Sequence, residues 1–133
     1  MDPADSPGVA GPAFVIRKPP AVIYSLAEYV AAGTLSPAQH LTLREAVRAH
    51  ASILIAGGTN SGKTTLANAL LREVTEQFPA ERLVLLEDTV ELQCAARDHL
   101  ALRTNGSVTL AELVKSALRT SPDGAHDWRA ARR

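Results

Sequence analysis

The chain is short of the residues that mark several common protein classes. Its one cysteine, Cys94, excludes an internal disulfide in these 133 residues. Phe, Trp and Tyr make up 4% of the chain, too few to expect the aromatic platforms on which bases stack. Excess charge is missing as well. Lys plus Arg and Asp plus Glu stand at 14 each, so net charge favours no polyanionic partner, and no direct nucleic-acid contact is indicated. No apolar run approaches the roughly 20 residues that span a bilayer. Met1 to Gly11 carry acids and prolines where a signal peptide would carry a basic patch and an apolar core. His40, His50, His99 and His126 lack metal-ligand spacing and read as surface or loop residues. There is no internal repeat.

What is present is concentrated in Ile53-Leu54-Ile55-Ala56-Gly57-Gly58-Thr59-Asn60-Ser61-Gly62-Lys63-Thr64-Thr65. It reads as a buried strand, a glycine-rich turn and the start of a helix. Gly57, Gly62, Lys63 and Thr64 fall at the spacing of the phosphate-binding loop of nucleoside triphosphatases. In such a loop successive backbone N–H groups curl around a phosphate, and glycines permit the close approach. The helix that follows aims its positive dipole end at the same anion. Lys63 is then the point charge for the β- and γ-phosphates of ATP, and the Thr64 hydroxyl a ligand for Mg²⁺. Gly58, Thr59, Asn60, Ser61 and Thr65 complete the binding loop. A glycine-rich turn that binds nothing is the bland alternative. Such a loop also suggests the cytosol.

The rest of the chain supplies a frame. Residues 1–13 are rich in Pro, Gly and Ala and read as a flexible lead. Residues 14–18 suggest a short strand ended by Pro19-Pro20. Ser25 with Glu28, and Thr109 with Glu112, have capping-box spacing, and Ser36-Pro37 is a second kind of helix start. The helix from Ser36 carries Leu41, Leu43 and Val47. Pro79 closes the helix after the phosphate loop, and Pro122 the one after Thr109. Arg82-Leu83-Val84-Leu85-Leu86-Glu87-Asp88 reads as a parallel strand covered on both faces, because its apolar run is continuous. Joined to the strand before the phosphate loop, it would form a βαβ unit with a right-handed crossover. A further strand is expected at 99–103. The 124–133 tail is polar and basic, with no apolar pattern.

Ligands of open parallel sheets sit beyond the carboxyl ends of the strands. Glu87 and Asp88 end such a strand and are candidates to face the γ-phosphate and its metal. A solvated acidic pair is the competing reading.

Together, Gly57-Gly58-Thr59-Asn60-Ser61-Gly62-Lys63-Thr64-Thr65 and Leu86-Glu87-Asp88-Thr89-Val90-Glu91-Leu92-Gln93-Cys94 resemble the type II/IV secretion ATPase superfamily, in its conjugal-transfer branch. Phe14 to Pro19, Glu28 to Gly33 and Ala101 to Thr104 match it too. The resemblance runs from about Phe14 to Asp123. It implies an α/β fold, a RecA-like nucleoside-triphosphatase core with a parallel sheet and flanking helices. It implies a homohexameric ring, cytoplasmic and peripheral to the inner membrane, using ATP and Mg²⁺ to drive a conjugation or type IV secretion apparatus. Carried over, Glu87 is the catalytic carboxylate, acting with Lys63, and Asp88 and Glu91 stand behind it. Arg17 and Arg103 match arginines near the nucleotide cleft, with surface pairing as the alternative. Cys94 fits family packing.

The pattern is incomplete. On this resemblance residues 1–20 hold the lead and the last strand of an N-terminal domain, 21–123 a partial ATPase domain, and 124–133 a tail foreign to the family. The family's Walker B strand and its Gly-Glu-x-Arg-Gly stretch should follow Asp123 and do not. The Trp128 codon followed by that of Arg129 forces glycine in the frame that starts at the second base, and the next codons permit the rest of that stretch. A frameshift after Asp123 is therefore the expected origin of the tail, tested by the gene's nucleotide sequence. A genuine basic C-terminus is the alternative. A sheet cut there should leave apolar edges and faces open and hydrolyse ATP weakly or not at all. Three readings follow: a truncated secretion ATPase, a nucleotide-binding module that joins a full-length ring without turnover, and a small nucleotide kinase. The last lacks an arginine-rich lid.

Overall fold

A computed structural model describes residues 22–120 and the strand at 128–131. The expected lead, the expected strand at 14–18 with Arg17, the Pro122 stop and His126 lie outside the described residues. The elements run α1 (Leu26–Ala31), α2 (Pro37–Arg48), α3 (Lys63–Gln77), β1 (Leu83–Glu87), β2 (His99–Arg103), α4 (Leu110–Thr120) and β3 (Trp128–Ala131).

The helices start where side chains satisfy their first N–H groups. The Glu28 carboxylate accepts the Ser25 N–H at 2.6 Å, and the Ser25 hydroxyl accepts the Glu28 N–H at 3.2 Å. Thr109 and Glu112 make the same reciprocal pair at 2.7 and 3.4 Å. Ser36 and Gln39 form a third box, at 2.8 and 3.2 Å. The sequence reading saw Ser36 and Pro37 but not the Gln39 half. α2 turns Val47 fully inward and leaves Leu41 60% exposed, so Leu41 is not part of the core.

The sheet has the order β2-β1-β3 and both pairings are parallel. All five residues of β1 are buried. Leu83 and Leu85 pack with Leu26, Val47, Leu70 and Val74 of the first three helices. Val84 and Leu86 pack with Leu113 and Ala117 of α4. Successive side chains of a strand point to opposite faces, so a strand between two helical layers is apolar on both, as Leu83 to Leu86 are, and the buried Glu87 ends it. That is what its continuous run implied.

Two expectations need correction. Residues 53–55 do not enter the sheet. Both edges of β1 are taken, by β2 and β3, and no ladder position beside it remains. The segment is instead laid on the core: Ile53 and Ile55 pack against the first cluster while Leu54 is 92% exposed. The βαβ unit built on that strand is therefore absent among the described residues, and β2–α4–β3 is the strand–helix–strand connection present. β3 itself was not anticipated. Nothing in Trp128-Arg129-Ala130-Ala131 alternates, and the strand is defined by its register on β1, from Leu83 opposite Trp128 to Leu86 opposite Ala131.

Polar ties lock the layers. Glu73, 8% exposed, accepts from Arg44 at 2.9 Å and Gln77 at 2.7 Å, joining α3 to α2. Arg82 grips Asp98 through Nε at 3.0 and 2.9 Å, fixing the start of β1 against β2. Among the described residues no helix is long and apolar enough to cross a membrane.

Candidate functional site

The loop 57–62 reaches α3 through two left-handed residues, Asn60 at φ 59° and Gly62 at φ 84°. Gly62 is the N-cap of α3 and provides no side chain, so the first N–H groups of that helix have no side-chain cap. A β-carbon on Gly57 would lie 2.6 Å from the Ser61 hydroxyl oxygen, closer than real side chains approach. That hydroxyl donates to the Gly58 carbonyl at 2.8 Å and closes the turn. The Lys63 ammonium also donates to the Gly58 carbonyl, folding its side chain back over the loop. Residues 57–65 therefore make one curled unit, with Lys63 and Thr64 on the first turn of α3.

A second segment meets this unit. Past β1 the chain runs irregularly through residues 88–98. The Thr64 hydroxyl donates to Glu91 Oε2 at 2.9 Å. Glu87 is 4% exposed, and its Oε1 accepts two backbone N–H groups, from Glu91 at 2.9 Å and from Leu92 at 2.8 Å. Glu87 thus shapes the turn that delivers Glu91. Asp88 is exposed and bonds the N–H of its neighbour Thr89 at 2.8 Å.

The sequence reading missed Asn68. It is one turn beyond Thr64 on α3 and only 2% exposed. Its Oδ1 accepts the Gln93 N–H at 2.9 Å, and its Nδ2 donates to the Glu91 carbonyl at 3.4 Å. A buried amide with neither end paired would cost about 1–3 kcal/mol per group, so its partners are part of what holds the segment. The available signal was an asparagine amid the apolar run of a buried helix.

Arg103 lies at the end of β2, in register with Glu87. Both line an open groove of about 480 Å³ with Cys94 and His99. His99, Ala101 and Arg103 are the exposed residues of β2. Cys94 is half-buried against the first cluster, consistent with packing.

A phosphate needs N–H donors and a cation, and Mg²⁺ needs hard oxygen ligands with waters retained. The loop, the uncapped start of α3 and Lys63 supply the first set; the Thr64 hydroxyl beside the Glu91 carboxylate suits the second. The residues present fit a nucleoside triphosphate with its magnesium.

Comparison with known proteins gives a consistent result. The sequence profile described as Type II/IV secretion system protein matches residues 4–125. A probable conjugal transfer protein TrbB of Sinorhizobium fredii is 47% identical over 117 residues, covering 88% of this chain and 36% of that protein. The conjugal transfer protein TrbB of Rhizobium radiobacter is 45% identical over the same shares. The type IV secretion system protein PtlH of Bordetella pertussis is 46% identical over 88 residues, 60% of this chain and 25% of that protein. The chain spans about a third of the length of the two TrbB relatives.

Proposed function

The chain belongs to the Type II/IV secretion system protein family, and on that premise we propose that it binds ATP–Mg²⁺ through residues 57–65 as part of a conjugal-transfer or type IV secretion ATPase. The observation that carries this reading is the contact between Thr64 and Glu91, which brings the acid-bearing segment onto the phosphate loop. Magnesium, when bound, supplies Lewis-acid neutralisation of phosphate charge. The chain's own residues do the rest. Backbone N–H groups of the loop and the start of α3 hold the phosphates. Lys63 exchanges the Gly58 carbonyl for the β- and γ-phosphates. The Thr64 hydroxyl would offer an oxygen lone pair to the metal while its O–H goes on donating to the Glu91 carboxylate, which makes that oxygen a better ligand. Glu91, bonded to Thr64, would hold waters of the metal, and Glu87 would act with it through the oxygen not committed to the turn.

In this reading the described elements belong to a RecA-like core, a homohexameric ring is the working assembly, and the inner face of the membrane beside the secretion apparatus is its place. In this reading residues 124–133 do not supply the family's Walker B pattern, so we expect little or no hydrolysis from these 133 residues by themselves. A nucleotide-binding module without turnover is the second reading, favoured by that same feature.

The test is ATP–Mg²⁺ binding and phosphate release by the purified chain, beside Lys63→Ala. Binding that the substitution abolishes, without phosphate release in either protein, is the expected result. Release that the substitution abolishes would establish a working ATPase and remove the second reading. No binding by the unmutated chain would sink the proposal.

A further inference from the structure

Glu91 is held from three directions, once by the end of β1 and twice by α3. Its N–H goes to the Glu87 carboxylate at 2.9 Å, its carbonyl takes the Asn68 amide at 3.4 Å, and its carboxylate takes the Thr64 hydroxyl at 2.9 Å. Thr64 and Asn68 are four residues apart on α3 and therefore share one face. Residues 91–93 have no helix or strand of their own. The Asn68 side chain substitutes for a strand neighbour: it donates to one carbonyl and accepts from the N–H two residues on, the backbone pattern of a ladder. Asparagine suits this task because its amide carries a donor and an acceptor at one end of a short stem.

We propose that Asn68 is a positioning residue for the nucleotide site: from inside the core it fixes residues 91–93 against α3 and so sets the Glu91 carboxylate on the Thr64 hydroxyl. This rests on the reading of Thr64 as a magnesium ligand. Asn68 is 2% exposed and bonds Glu91 and Gln93. It acts through Glu91, as outer partners of metal ligands do.

The consequence is selective. Nucleotide binding without Mg²⁺ draws on the loop N–H groups and Lys63 and does not need Asn68. The extra affinity conferred by Mg²⁺ does. In the full chain, Asn68→Leu keeps the branched shape with bulkier ends and removes both hydrogen bonds. It should reduce the Mg²⁺-dependent gain in ATP affinity by about 10- to 100-fold and leave binding in EDTA unchanged. Asn68→Asp keeps the acceptor for the Gln93 N–H and loses the donor to Glu91, so it should fall between Asn68→Leu and the unmutated chain. Combined with Glu91→Gln, Asn68→Leu should add nothing, because both remove one interaction. Full additivity in that cycle, or equal loss of binding in EDTA, would overturn the proposal.

The clamp is also readable without substitution. The Gln93 amide, whose hydrogen goes to Asn68 Oδ1, should exchange as slowly as the core amides of α3. Exchange at the rate of an open loop would overturn the proposal even if both variants failed to fold. If the unmutated chain bound no nucleotide in either buffer, the nucleotide reading would fail, and amide exchange would still decide whether Asn68 holds the segment.

Discussion

A methyl group at Gly57 is the smallest change that disturbs the phosphate loop. Its carbon would meet the Ser61 hydroxyl at 2.6 Å, whereas the next atoms lie at 3.4 and 3.7 Å. Gly57→Ala must therefore push the Ser61 hydroxyl off the Gly58 carbonyl and open the turn. Nucleotide affinity should fall about five- to tenfold, the worth of one hydrogen bond of about 1 kcal/mol. Removing the oxygen as well, in Gly57→Ala with Ser61→Ala, leaves only ordinary contacts and should restore part of the affinity in the same titration. Gly62 fails for a different reason. Space is open around it, but its φ of 84° lies where a side chain costs about 1–2 kcal/mol. Gly62→Ala should show that cost in urea unfolding without any clash. Two glycines of one motif are thus required by different physics, one by a neighbour and one by a backbone angle.

At the scale of elements, helix starts were the most legible feature, because a cap is a local bond between residues three apart. The Thr109–Glu112 and Ser25–Glu28 pairs form as their spacing implied. They also make the helices sensitive to acid. The backbone N–H and then the hydroxyl of Thr109 hold the Glu112 carboxyl below its ordinary value of 4.5, and Ser25 does the same for Glu28, helped by Arg72. A folded-state value below the unfolded one contributes stability above the unfolded value, and that contribution is lost as pH falls through the folded one. Between about pH 6 and about pH 3 the unmutated chain should therefore lose more stability than Glu112→Gln, measured as the urea midpoint of the helical signal. β1 was legible for a comparable reason: an uninterrupted apolar run has few solutions. The segment 53–55 has the same run and a different fate, because strand status depends on a vacant neighbour and not on composition. β3 was invisible from the opposite side, its strand made wholly by β1. Asn68 escaped notice because its partners are 23 and 25 residues away. The curled loop before α3 was readable from its glycines; which carboxylate touches Thr64 was not, since Glu87, Asp88 and Glu91 differ only in where the turn sends them.

For the whole molecule, β1 is the shared wall of two buried clusters. Leu83 and Leu86 are each 1% exposed, but they face opposite layers. Truncating either to Ala should cost about 2–5 kcal/mol. Because one strand joins the layers, both variants should still melt in a single transition when followed separately by helical and tertiary signals. Two separated transitions would show that the α4 layer is an independent unit. The same wall has a history during synthesis. When β1 leaves the ribosome, α1, α2 and α3 have already been made, and Leu83 and Leu85 can be covered at once. Val84 and Leu86 must wait for α4, which begins at residue 110. At about 5–20 residues per second, that wait lasts on the order of seconds. A nascent chain at that stage presents one finished face and one adhesive one, so β1 is the segment that a ribosome-bound chaperone would be expected to shield.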